Sequence, residues 1–312
     1  MLRTQKNVLI DEQGNVVCLR GVSMHDPYLL RTKEKKKGTG IINFLVRTGC
    51  MVVRIPILPG HYRVFKNYLR DYIDPLVRAC GKKGVYCILD WHAIGNPIAG
   101  QTRLKEQFHN KNGKVYYFDT DLRLCRNAWR IIARRYGQES HVLFEIFNEP
   151  APGNQAVPSL GLSPLLWSTW RSEAIKIIRI IRKHTQNIIL VAGTNWAYNL
   201  KDIVKNPIRQ KNIAYAVHPY PIRKDWKQVL SLIVKKYPLI ITEWGFKKNT
   251  KQMFMKGSRS GYGLPFVKYC RQKRLSWVAW CYSPSWGPAM LASWNKADYT
   301  PWGKFVIKHL RD

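Results

Sequence analysis

Short apolar runs of strand length alternate along this chain with longer stretches of helical period. Residues 8–10, a turn over 11–14 and residues 16–22 (VVCLRGV) read as a hairpin that runs into a first core strand ending near His25. A basic loop over 31–37 and a helix over 41–48 lead to a second apolar strand, 51–57, which carries one arginine, Arg54, among β-branched neighbours. Residues 68–83 read as a helix stopped by Gly84, and 85–90 as a third strand whose tip is Asp90, Trp91, His92.

After a long loop over 93–120 and a helix over 121–136 comes the run His141 to Pro150 (HVLFEIFNEP), a near-continuous apolar strand that stops at Asn148, Glu149 and Pro150. Such a run suits a parallel strand covered on both faces, and proline, lacking an N–H, ends its ladder. A Pro/Gly loop over 151–164 and a helix over 165–184 come next, then strands over 188–192 and 213–217 flanking a short helix at 202–206. The amphipathic stretch 225–236 leads to LIITEWGF at 239–246, which delivers Glu243 and breaks at Gly245. A helix within 254–274, an eighth strand at 276–280 and a last helix near 305–310 complete the pattern.

Eight strands alternating with helices, with the long loops on the strand exits, predict an α/β fold: a single (β/α)8 TIM barrel behind a short N-terminal β-hairpin. The tips at 22, 56 and 90 recur every 34 residues, and Glu149 and Glu243 lie 94 positions apart (243 minus 149), three βα units, at strands four and seven. At 312 residues the chain is expected to form one catalytic domain over 1–312.

Composition narrows the function classes. A hydrophobic content of 46% can fill such a core. No apolar run reaches the ~18 residues of a spanning helix, and the first ten residues lack a signal-type segment, so the chain is expected to be soluble and unanchored, without membrane insertion. Seven cysteines without CxxC spacing imply neither a zinc site nor a disulfide framework. The net charge of +33 raises nucleic acid as a partner, but the cations are spread over helices throughout, so nucleic acid is not expected as the main partner.

A glutamate at a strand tip is usually only solvated, so either of the two alone says little; two on the tips of one barrel suggest a working pair. At this point the residues resemble glycoside hydrolase family 5. The likeness rests on Asn148-Glu149-Pro150 after strand four and Thr242-Glu243-Trp244-Gly245 after strand seven, and spans RGVS at Arg20 to WVAW at Trp277. The resemblance implies a retaining glycosidase with Glu149 as acid/base and Glu243 as nucleophile. Arg54 on strand two, His92 after strand three, His218 and Tyr220 after strand six and Trp280 after strand eight stand where the family places substrate-site residues, with His25 a further histidine after strand one. It also implies that Asn148 holds the sugar 2-hydroxyl, that no cofactor is needed, and that the protein is extracellular.

Double displacement needs the two carboxyls about 5 Å apart, one protonated and one ionised at the same pH. Arg54 and Tyr220 would keep Glu243 ionised; apolar packing and the charge of Glu243 would raise the pKa of Glu149. Adjacent residues of a regular strand face opposite ways, so Asn148 and Glu149 can both serve only if the strand is irregular at Asn148. Trp91, Trp196, Trp244 and Trp286 are expected to extend a sugar platform beside Trp280, with Trp196 and Trp244 equally readable as core, and Arg54 is either a site residue or an ion-pair partner of Glu145, whose inward parity marks it as structural. His92 and His218, on different tips without a third ligand at metal spacing, are expected to hydrogen-bond rather than bind metal.

The expected activity is an endo-β-1,4-glucanase acting on cellulose-type polysaccharide or oligosaccharide as a monomer. An endo-β-mannanase or other β-glucan hydrolase is the alternative within the family, and a cationic carbohydrate- or nucleic-acid-binding protein without turnover the alternative outside it.

Overall fold

In the computed structural model, which describes residues 1–104, 106–110, 113–152, 165–295 and 298–312, eight parallel strands hydrogen-bond in a closed ring. They are β1 (Arg20–Met24), β2 (Val52–Ile57), β3 (Tyr86–Trp91), β4 (Val142–Glu145), β5 (Ile189–Ala192), β6 (Ile213–Val217), β7 (Leu239–Ile241) and β8 (Ser276–Tyr282). The strand β8 pairs with β1 to close the barrel. Around it lie α1 (Gly38–Arg47), α2 (Asp74–Lys82), α3 (Leu122–Tyr136), α4 (Trp167–Arg182), α5 (Lys201–Lys205), α6 (Trp226–Ile233), α7 (Leu264–Gln272) and α8 (Pro301–His309).

Strand alternation sorts the core into two shells. Val53, Ile55 and Ile57 of β2, Cys87, Leu89 and Trp91 of β3, and Val142 and Phe144 of β4 pack outward against the helices. Val52, Ile88, Leu143, Leu190, Ala214, Ile240 and Val278 point inward and fill the barrel. One step further along the same inward rows stand Arg54, Asp90 and Glu145, all fully buried. The barrel interior therefore passes from an apolar layer to a charged one towards the strand exits.

Three expectations need correction. Residues 16–22 are two elements: Val16–Val17 joins Arg3–Gln5 and Val8–Ile10 in a small antiparallel sheet, and the barrel strand starts only at Arg20. The break has a cause, because Leu2, Leu9 and Leu19 pack into the inner cluster and plug the end of the barrel opposite the strand exits. The basic loop is partly helical, Pro27–Thr32. The long loop over 93–120 holds short strands at Ile94–Asn96, Gln101–Thr102, Gln107–Asn110 and Gly113–Tyr116. Of the Pro/Gly loop at 151–164, residues 153–164 lie outside the described residues.

Candidate active site

Inward parity carries three site residues past the charged layer, two of them on regular strands and Trp280 beside a register shift between Ala279 and Tyr282. On β3 the row Ile88, Asp90 continues to His92; on β6 Ala214, Ala216 continues to His218; on β8 Ser276, Val278 ends at Trp280. The two glutamates need local irregularities.

The strand β4 stops at Glu145, and a bend falls at Asn148. The indole N–H of Trp129 donates to the Ile146 carbonyl at 2.9 Å, the Asn148 N–H to the Trp91 carbonyl at 2.9 Å, and the Glu149 N–H to the Ala93 carbonyl at 3.1 Å. Glu149–Pro150 then forms a short parallel pair with Ile94 and Gly95. Gly95 sits at φ +140°, and a Cβ there would lie 2.1 Å from the Gln101 carbonyl oxygen, so this pairing requires glycine. Because the chain leaves strand geometry, Asn148 and Glu149 both reach the site. Glu243 lies two residues beyond β7 and is fixed by its neighbours: Trp244 is fully buried against Phe266 at 4.5 Å and Trp302 at 4.9 Å, and its carbonyl accepts from the Trp280 N–H.

Arg54 is the hub of the charged layer. Its Nε donates to Glu145 Oε2 at 2.6 Å, Nη1 to Glu243 Oε1 at 2.7 Å and Nη2 to Asn148 Oδ1 at 2.6 Å, with Asp90 Oδ2 at 3.0 Å. The pairing with Glu145 and the contact with the site thus coexist in one side chain. The Tyr220 hydroxyl donates to the other Glu243 oxygen, Oε2, at 3.0 Å. Glu149 has a different partner: its Oε1 lies 2.8 Å from His218 Nδ1, and His218 Nε2 lies 3.0 Å from the Thr242 hydroxyl. One carboxylate oxygen of Glu149 and one of Glu243 fall within 4.8 Å of each other.

Burial dominates the electrostatics. It pushes the Glu149 carboxyl up to about 7, against weaker lowering by His92 and Arg54. Glu243 is not among the causes, contrary to expectation; loss of water suffices. Burial likewise raises Asp90 to about 7 and lowers His92 and His218 to about 4. Both imidazoles are therefore neutral at pH 7, and His92 Nδ1 bonds Asp90 Oδ2 at 2.5 Å.

These groups open into a cleft of about 800 Å³. Eight expected residues line it: Asn148, Glu149, Glu243, His92, His218, Tyr220, Trp280 and Trp196. Arg54 and His25 do not. Arg54 lies beneath the floor, fully buried, and His25 stands behind Trp286, stacked on it at 4.4 Å. Trp91 and Trp244 are core, whereas Trp286 extends the platform, stacked 5.5 Å from Trp280, which in turn stacks 5.2 Å from His92. Trp196 projects from three consecutive residues at positive φ, Asn195, Trp196 and Ala197, beneath the guanidinium of Arg103.

Ile94, Leu104, Phe118, Ile222, Arg223 and Phe254 also line the cleft and were not anticipated. They sit on the strand-exit loops, where no periodicity marks an inward residue.

Glu149, His218 and Glu243 each offer a donor atom within the 4.8 Å span that could hold a metal ion. Each already has partners: one oxygen of Glu243 accepts from Arg54 and the other from Tyr220, one oxygen of Glu149 bonds His218, and the other His218 nitrogen bonds Thr242. Such a set suits proton transfer and nucleophilic attack better than cation binding.

Comparison with known proteins finds similarity along most of the chain. The family model for cellulase (glycosyl hydrolase family 5) matches residues 10–285. Endoglucanase E-5 of Thermobifida fusca is 23% identical over 316 residues, covering 96% of this chain; the chain spans only 59% of that relative's length. Among solved structures, β-glucanase SdGluc5_26A from Saccharophagus degradans superposes with a TM-score of 0.87 at 29% identity, over 99% of this chain and 92% of that one. The same enzyme solved in complex with cellotetraose gives 0.86 at 29% identity, again over 99% and 92%.

Proposed function

The chain belongs to glycosyl hydrolase family 5, the cellulase family, and we propose that it is an endo-acting β-1,4-glucanase cleaving by double displacement, its 312 residues serving as one catalytic domain. The reading is carried by one observation, the approach of the Glu149 and Glu243 carboxylates to within 4.8 Å. Retaining glycosidases hold their carboxyls about 5–5.5 Å apart, inverting ones about 6.5–9.5 Å to leave room for water. The cellotetraose bound by the Saccharophagus enzyme and the endoglucanase relative favour a β-glucan cut internally.

In this mechanism Glu149, protonated below about pH 7, gives its proton to the glycosidic oxygen as that bond breaks. Glu243, its oxygens oriented by Arg54 and Tyr220, attacks the anomeric carbon and forms the glycosyl ester. Glu149, now ionised, takes a proton from water, whose oxygen displaces Glu243 and regenerates both groups. Asn148, its carbonyl end held by Arg54, keeps its amide N–H groups for the sugar 2-hydroxyl. Trp280 and Trp286 offer flat faces to the pyranose rings.

The test is the anomer first released from a soluble cello-oligosaccharide, read by NMR: β first is expected, and α first would end the double-displacement reading. Glu243→Gln should cost ~10³-fold or more in kcat. A panel of β-1,4-glucan, mixed-linkage glucan, xyloglucan and mannan tests the polymer; faster turnover of mannan than of β-1,4-glucan would replace the substrate named here.

A further inference from the structure

A cavity of about 680 Å³ lies between the loop after β7 and α8, and it shares no lining residue with the catalytic cleft. It is nonetheless the cleft's neighbour along the chain, since Gly287 lines the cleft and Pro288 the cavity. Lys247, Lys248, Arg259, Lys304 and Lys308 surround it, all exposed, and no aspartate or glutamate is among its lining residues. A few surface arginines elsewhere find carboxylates, as Arg63 does with Asp119 and Arg126 with Glu173, although cations outnumber acids 52 to 19. Among the described residues these five cations make no ion pair.

Like charges crowded round a concavity with apolar walls focus a positive potential into it. Among the described residues no carboxylate lines the cavity or pairs with these cations, so the fitting occupant is an anion. Its volume falls in the ~300–1,000 Å³ range of small-ligand sites, too small for a duplex but ample for a few sugar rings. Single-stranded nucleic acid needs exposed aromatic faces for its bases. Here Phe246, Trp302 and Phe305 are all buried, leaving little aromatic surface to stack on, while Pro288 and Pro301 offer small apolar surfaces between the cations. Such walls suit the C–H faces of pyranose rings.

We propose that this cavity binds carboxylate-bearing sugar residues of an acidic polysaccharide, holding the protein beside the polymer on which its cleft acts. The choice of a polysaccharide among polyanions rests on the glucanase reading; the charge and the cavity do not.

The probe is a polygalacturonate oligomer titrated calorimetrically against the full chain at low and at physiological salt. The variant K247Q/K248Q/K304Q/K308Q changes exposed side chains only, and K82Q/K83Q/K183Q/K211Q removes the same charge elsewhere on the surface. The cavity variant should bind the oligomer at least tenfold more weakly and the matched control less than twofold, with turnover of neutral cello-oligosaccharide unchanged in both. Equal weakening in the two variants, or none in the first, would overturn the proposal. So would an oligodeoxynucleotide of equal charge that binds more tightly and is lost on the same four substitutions, because the site would then belong to nucleic acid. If the unaltered protein binds polygalacturonate through these lysines yet turns over no glucan, the glucanase reading fails and the anionic site stands.

Discussion

Replacing Glu149 by glutamine should abolish turnover and make the protein more stable, by an amount that depends on pH. Burial raises this carboxyl from 4.5 to about 7 in the folded chain. Below pH 4.5 both folded and unfolded forms are protonated and the group contributes nothing to pH-dependent stability. Between 4.5 and 7 the unfolded chain releases a proton that the folded chain retains, so folding loses stability as pH rises, and above 7 the loss is complete. A gap of about 2.5 pH units at ~1.36 kcal/mol each gives roughly 3 kcal/mol. Glutamine is isosteric and its amide oxygen can still accept from His218, so the variant escapes this cost with its packing intact. Unfolding entropy of ~2.1 cal/mol/K per residue over 312 residues turns the gain into a Tm rise of about 5 °C at pH 8.5, and near zero at pH 4. Calorimetry of the two proteins at those pH values is the assay. The unaltered enzyme supplies a second reading of the same group, because kcat/KM should fall above a pH near 7 as Glu149 loses the proton it must donate. A Tm gap that does not change with pH, or a variant less stable at pH 8.5, would refute the claim that Glu149 is a buried, strained acid.

Arg54→Met should destabilise by about 3–5 kcal/mol, since Asp90, Glu145 and Glu243 would remain buried without their cation; a Tm within 1 °C of the parent at pH 7 would show that the hub contributes nothing. Trp286→Ala should raise KM for cello-oligosaccharides about tenfold, ~1.4 kcal/mol, by removing one stacking face and leaving His25 and Trp280 unsupported; an unchanged KM would place sugar binding elsewhere. Prolonged dialysis against a chelator should leave turnover unaltered, because the Glu149, His218 and Glu243 atoms that could hold a metal are already engaged with one another and with Arg54, Tyr220 and Thr242; activity restored only by added metal would contradict that.

Period two and hydrophobic burial account for the part of the molecule that is legible in the sequence. Strand positions, the barrel and the inward rows ending at His92, His218 and Trp280 can be read because every second residue of a strand shares a face. Asn148 and Glu149 are legible through a conflict, since neighbours that must both serve one site cannot sit on a regular strand. The loops hide the rest. Phe118, Arg223 and Phe254 reach the cleft from segments without periodicity, and the left-handed backbone at Asn195–Ala197 has no glycine to announce it. His25 and Arg54 are assigned by sequence to the correct end of the barrel but to the wrong depth. Parity tells which face a residue takes, and depth depends on what is stacked in front of it, here Trp286 for His25 and Asn148 with Glu243 for Arg54.

The two glutamates are chemically identical and similarly buried, so the different duties proposed for them must come from how contacts are divided between them. One guanidinium is shared by Asp90, Glu145, Glu243 and Asn148, and among the described residues none of its hydrogen bonds goes to Glu149. Glu243 receives a charged donor and a phenol; Glu149 receives a histidine that burial holds neutral. Burial, with only a neutral imidazole bonded to it, holds the Glu149 carboxyl up at about 7. On the double-displacement reading this division of contacts suits Glu149 to the acid's part and Glu243 to the nucleophile's, while burial pushes Asp90, beside the same arginine, up to about 7. Were Asp90 fully ionised, it would compete with Glu243 for Arg54 and blur the distinction on which the proposed double displacement depends.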